Sequence, residues 1–329
     1  MSILVGSSAC GGSSVTETTT GSTGALTNKY IMAFHSCDTA SLDCTNPKNH
    51  TTQLAQSNDG ANWAIVTGWP GYQGSVPGVI RRGNTLYFYN ASAPLRRYDI
   101  PSSTLSAAMD FSITKADGTK QSWVDPTPIL DSNNNIVIFY PVIPANIPPG
   151  QDPATASCPS FPCTLTIRAC VEVAGSDGSK CQEPDNQDRL AITRQSSSDG
   201  TVSDPDIFRD AAQNVLYVSR GTNVQVFTSS TLLGTYSQAT TAYPGGLLVI
   251  PPGAGGVPSG YFDSPSSSYW SYVNLGTRSS SNPSKIYRAV HSALNTPLKN
   301  SDFTAVVTGS SIGLGSTFMV ESPTVRLNQ

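Results

Sequence analysis

Charge is scarce in this chain: Asp, Glu, Lys and Arg make up only 12% of its 329 residues, where an ordinary soluble domain carries about a quarter. The surface is therefore solvated by Ser, Thr, Asn and Gln rather than by ions. A formal net charge of -3 offers no electrostatic footprint for nucleic acid. No apolar run approaches the 18 or so residues that a membrane-spanning helix needs. Histidine is rare too. His35, His50 and His291 are the three, and none lies beside a Cys-x-x-Cys pair, so neither a clustered metal site nor another cofactor is expected. What abounds is turn chemistry, with 28 Gly and 24 Pro, the composition of many short strands joined by tight turns. The length would suit two ordinary domains, but all-β arrays often run this long as one unit.

Six of the seven cysteines fall into close pairs in polar, turn-rich stretches: Cys37 with Cys44, Cys158 with Cys163, and Cys170 with Cys181. Six cysteines allow 15 connectivities, of which this local one is the simplest. Disulfides imply an oxidising, extracytoplasmic compartment. Cys10 is left over. It follows Ser8-Ala9 and precedes Gly11-Gly12-Ser13-Ser14 and a Ser/Thr/Gly stretch. This resembles the cleavage site of a bacterial lipoprotein, in which the cysteine becomes the lipidated first residue of a flexible tether. The resemblance implies a signal remnant and tether over 1–27, a folded domain over 28–329, and a secreted or surface protein that meets the membrane only through its lipid. The other reading is an unpaired cysteine in a disordered tail.

An irregular repeat runs through the rest: an acid or Gly beside Pro, an apolar strand, a turn, a strand rich in Tyr and Phe, then a third strand. Copies open at Val76-Pro77-Gly78-Val79-Ile80, Val124-Asp125-Pro126-Thr127-Pro128, Ser203-Asp204-Pro205-Asp206-Ile207 and Pro244-Gly245-Gly246-Leu247-Leu248. Two long insertions are expected between them, at about 141–188 and 251–268. The fifth copy is split. Val320-Glu321-Ser322-Pro323-Thr324-Val325 is an opening strand with no continuation, while Lys29-Tyr30-Ile31-Met32-Ala33-Phe34 and Gln53-Leu54-Ala55-Gln56-Ser57 are a second and third strand with no opening. Joined, they complete one unit. The expected fold is an all-β, five-bladed β-propeller closed by pairing its two ends, which protects the edges an open sheet would leave. A β-sandwich is the rival, but it gives no reason for complementary ends.

Innermost strands of a propeller all run the same way along the axis, so their first residues gather at one mouth. Those residues include Asp125, Asp204 and Glu321, with Pro77 and Gly245-Gly246 as neutral counterparts. Three converging acids suit glycoside hydrolysis, which needs a protonated acid, an ionised base or nucleophile, and a group to tune them. The structural alternative is that Asp before Pro is a common turn device. These openings resemble the blade starts of the five-bladed glycoside hydrolases of family 43, the arabinanase and β-xylosidase type. The resemblance implies Glu321 as general acid, with Asp125 and Asp204 sharing the roles of base and pKa modulator.

Trp123 and Trp69 flank strand openings and are candidates, with Asp206, to contact a sugar; for either Trp the other reading is buried packing between blades. Ser57-Asn58-Asp59-Gly60-Ala61-Asn62-Trp63 resembles the Asp-box turn of sialidases and related propellers, which is a structural hairpin. His35 and His291 lie within strands and carry no expected role. Two functions stand open: hydrolysis of a polysaccharide or oligosaccharide, or a non-catalytic surface propeller that binds glycan or a protein partner.

Overall fold

The computed structural model describes residues 26–91, 94–144, 156–239, 247–249, 254–295 and 297–329. Cys10, its tether and Gly245-Gly246 lie outside the described residues. The described strands form five sheets. Blade 1 pairs Phe318–Leu327, Tyr30–Asp38, Thr51–Ser57 and Ala64–Ile65, so both ends of the described chain meet in one sheet. Blade 2 is Gly78–Arg82, Thr85–Tyr89, Arg96–Asp99 and Thr104–Leu105. The third is built on Thr127–Leu130, Ile136–Pro141 and Cys163–Glu172, and the fourth on Val202–Arg209, Asn214–Arg220 and Asn223–Ser229. Blade 5 is Ala254–Asp263, Ser268–Leu275, Lys285–His291 and Thr304–Val307.

The packing explains why the strands read as continuous apolar runs. Alternate side chains leave opposite faces of a strand, and in a propeller both faces are covered by neighbouring blades. In blade 1, Tyr30, Met32 and Phe34 pack with Trp270 and Tyr272 of blade 5, while Ile31 and Ala33 pack with Val79 and Phe88 of blade 2. In blade 3, Ile136, Ile138 and Tyr140 join Tyr87 and Tyr89 of blade 2, while Val137 and Phe139 join Leu216 and Val218 of blade 4. Phe208 and Val215 of blade 4 meet Val273 and Ala289 of blade 5. The core is thus one apolar cluster at each blade junction, and the sequence of junctions closes on itself.

The closing seam is antiparallel, running from Tyr30 opposite Leu327 to Asp38 opposite Phe318. The Asp-box hairpin then fastens blade 1 to blade 5. Backbone N–H groups of Ala61 and Asn62 donate to Asp59 Oδ1 at 2.9 and 2.8 Å, and Tyr272 Oη donates to the Gly60 carbonyl at 2.8 Å. Gly60 has φ +68°, and a Cβ placed there would sit 2.2 Å from Trp270 Cζ3. Gly60→Ala meets both a left-handed backbone and a collision with a packed ring. It is expected to cost about 2–4 kcal/mol, read as a lowered urea midpoint.

Cys37–Cys44, Cys158–Cys163 and Cys170–Cys181 are bonded, with Cα separations of 5.9, 5.7 and 5.5 Å. The local pairing holds, and three disulfides point to an extracytoplasmic location.

Two expectations are corrected. The apolar run at Leu247–Val249 is not the inner strand of a blade. It pairs with Asn223–Ser229 on blade 4, and the inner strand of blade 5 is Ala254–Asp263. Blades approach closely at its Gly260, where a Cβ would lie 2.0 Å from Phe208 Cε1. Nor is 141–188 a plain insertion, since it contains the third strand of blade 3, Cys163–Glu172.

Candidate functional site

Each blade contributes a residue-Pro step to the lining of one small cavity: Val76-Pro77, Asp125-Pro126, Asp204-Pro205, Val257-Pro258 and Ser322-Pro323. Val76, Asp125, Asp204 and Ser322 all have φ between +46° and +58°, a region that non-glycine residues seldom enter. Where such a step falls inside a paired strand, the register slips, as between Ser203 and Asp206 and between Gly255 and Ser259. In blade 4 the left-handed Asp204 lies in such a β-bulge, a device that turns a side chain away from the regular pleat. Val76 and Ser322 adopt the left-handed conformation as well, so it is not confined to the acids.

This alignment moves Glu321. Ser322, not Glu321, is the counterpart of Asp125 and Asp204. Glu321 precedes the ring by one residue, in the position of Ser75, Val124 and Ser203.

Above the ring lies a cleft of about 560 Å³. Asp125 and Asp204, from neighbouring blades 3 and 4, both line it, with Ser75, Val76 and Ser203. Its walls are largely apolar, including Pro47, Val142, Ile143 and Leu165. The structure therefore brings two of the three expected acids to one cleft. Glu321 is not among the lining residues.

Glu321 is 4% exposed. Arg278, on the loop between two strands of blade 5, donates to its Oε2 from Nη2 at 2.9 Å and Nε at 3.2 Å. His35 Nε2 lies 3.6 Å from the same oxygen. Burial works to raise this carboxyl, but His35 and Arg278 more than offset it and hold it down at about 2. Glu321 is thus held in a buried ion pair with Arg278 and stands apart from the two aspartates of the cleft.

His35 stacks on His50, with centroids 4.1 Å apart and planes within 7°. Burial lowers both, helped by Arg278, and His50 falls to about 4. Groups that take up protons less readily when folded lose stability in acid. The histidine contribution is complete above the ordinary value of 6.5 and falls away as pH drops towards about 4. That of Glu321 falls away from 4.5 towards about 2. The urea midpoint is expected to decline across both windows, and Glu321→Gln to flatten the lower one.

Asp206, Trp69 and Trp123 are not among the cleft-lining residues. Asp206 is buried beneath the ring. Its carboxylate accepts from Thr127 Oγ1 at 3.0 Å, Ser259 Oγ at 3.0 Å, the Gly260 N–H at 2.8 Å and Arg326 Nη2 at 2.7 Å. Every partner belongs to another blade, and none of its oxygens is spared for a sugar. Trp69 is a core residue between blades 1 and 2, donating to the Thr52 carbonyl at 3.1 Å and packing on Phe88 and Tyr98. Trp123 packs edge to face on Phe111 and is not among the cleft-lining residues.

No protein-family model matches the chain, and no curated protein sequence matches it. Solved structures do. The GH43_1 enzyme from Xanthomonas citri, complexed with xylose, superposes with a TM-score of 0.52 at 15% identity, covering 82% of this chain and 86% of that one. A glycoside hydrolase family 43 arabinoxylan arabinofuranohydrolase from Bacillus subtilis, in complex with cellotetraose, gives 0.50 at 14% identity over 83% of this chain and 64% of that one. The endo-1,5-α-L-arabinanase from Thermotoga petrophila gives 0.46 at 11%, covering 67% and 52%. The chain thus spans about half the length of the last enzyme. The likeness is one of fold: this chain is built like the five-bladed propellers of family 43.

Proposed function

We propose that this chain is a glycoside hydrolase-type propeller acting on an oligosaccharide or polysaccharide, with Asp125 and Asp204 as its paired carboxylates. One observation carries the reading. Two adjacent blades place an aspartate at the same left-handed, pre-proline position, and both line one cleft. The fold supports it, because the similar enzymes from Xanthomonas citri and Bacillus subtilis were solved with xylose and cellotetraose. Both carboxyls line the same cleft, on neighbouring blades. Such a pair supplies what hydrolysis needs: one group to protonate the leaving oxygen and one to activate water or attack the sugar. Glu321, ion-paired with Arg278 and outside the cleft lining, is given no proton-transfer role in this reading.

A second reading is favoured by the walls themselves. Pro47, Val142, Ile143 and Leu165 offer contact area without ionic handles, as a non-catalytic site for glycan or a protein partner would. A panel of aryl pentosides, aryl hexosides and plant polysaccharides separates the two. Reducing ends released by the wild type support hydrolysis. Oligosaccharide binding seen by calorimetry, with no turnover on any substrate, selects the binding module.

A further inference from the structure

The histidines absent from both readings form a device of their own. His50 Nε2 is 3.0 Å from the Cys44 carbonyl and must donate to it. Its Nδ1 therefore accepts, and the donor is the Ser75 hydroxyl at 2.8 Å. His35 Nδ1 lies 3.3 Å from the Val76 nitrogen, so it accepts the Val76 N–H, and its own proton sits on Nε2 towards Glu321. Two stacked imidazole lone pairs thus hold two consecutive residues, Ser75 and Val76, and both residues line the cleft. Val76 needs holding. It is β-branched at φ +47°, a conformation that a free chain avoids.

We infer that the His35–His50 stack positions the Ser75–Val76 wall of the cleft and releases it in acid. The inference stands whatever the cleft binds.

The two bonds respond differently to a proton. The Ser75 hydroxyl can rotate and accept from a protonated His50, so that bond survives with its direction reversed. The Val76 N–H has no such freedom. A proton on His35 Nδ1 faces it with a second donor, and attraction becomes repulsion. The charged and titratable groups around the stack are Glu321, which draws a proton towards His35, and Arg278, which opposes charge on either ring. Each imidazole also opposes charge on the other. Burial and Arg278 favour neutral rings, so the wall is in place at pH 7 and is lost below the ordinary histidine range.

Amide hydrogen exchange of the whole protein, corrected for the intrinsic pH dependence, tests this. Peptides spanning 72–79 are expected to lose protection at least about tenfold between pH 7 and pH 4, while peptides of Ile136–Pro141 keep theirs. His35→Asn retains an acceptor near the Nδ1 position and cannot titrate, so it is expected to abolish the pH dependence. His35→Ala is expected to leave 72–79 unprotected at every pH. Should the variants not fold, nitrogen NMR of the wild type decides, since the Nε2–H tautomer is required of both His35 and His50 at pH 7. An Nδ1–H tautomer at His35, or unchanged protection of 72–79 at pH 4, overturns the inference. Loss of glycosidase activity plays no part in either outcome.

Discussion

Asp204→Asn is expected to lower kcat by about 10³-fold on any glycoside the wild type cleaves, and Asp125→Asn by a comparable factor, within the 10²–10⁴ range that one proton-transfer group contributes. Asparagine isolates the charge from the conformation. Both aspartates sit at φ +46°, and Asn is among the residues that tolerate this region best. Alanine would confuse a lost carboxylate with a strained ring. Because both positions are only half-buried at the cleft, the melting temperature should move little. The split between constants carries the diagnosis. An acid or base used only in the transition state lowers kcat and leaves KM nearly unchanged, whereas a binding group raises KM. Glu321→Gln provides the contrast. A residue ion-paired with Arg278 and outside the cleft lining should affect kcat far less than either aspartate does. If both Asn variants keep more than half the wild-type turnover, the paired-carboxylate reading is lost.

How much of this was legible in the sequence depends on which residues one asks about. The closure was, because Val320–Leu327 and Lys29–Ser36 each lack the partner the other supplies. The repeat of residue-Pro openings was too, since proline in a β-rich chain is confined to positions that need no ladder bond. Blade 5 hid its opening. The apolar Leu247–Val249 looks more like an inner strand than the glycine-rich segment around Val257-Pro258, and only the nearness of Phe208 to Gly260 explains the glycine. Glu321 was placed one position too far into the ring because a bulge at a left-handed serine leaves no trace in hydropathy. His35, His50 and Arg278 share no local motif. They meet only once the seam is in register, with His35 opposite Glu321. The tryptophans misled for a simpler reason: an aromatic near a strand opening reads the same whether it faces the cleft or the next blade.

The other large effect concerns the hub under the ring. The residues that follow the five prolines are Gly78, Thr127, Asp206, Ser259 and Thr324, and they interlock. Thr127 and Ser259 donate to Asp206, Thr324 Oγ1 donates to the Pro77 carbonyl at 2.7 Å, and a Cβ on Gly78 would lie 2.4 Å from the Pro126 oxygen. Arg326 completes the arrangement. It is 7% exposed and reaches from blade 1 to Asp206 of blade 4 and to the Pro128 carbonyl of blade 3 at 3.3 Å. Arg326→Met keeps the side-chain length but strands a buried carboxylate, a change that typically costs about 3–5 kcal/mol. Asp206 retains three neutral donors, so the lower end, roughly 3 kcal/mol, is expected here. The variant should melt roughly 5–10 °C below the wild type. Arg326→Met combined with Asp206→Asn should recover a good part of the loss at pH 7, since the uncompensated charge is gone. A single variant as stable as the wild type would mean that the blades hold their ring by apolar packing alone.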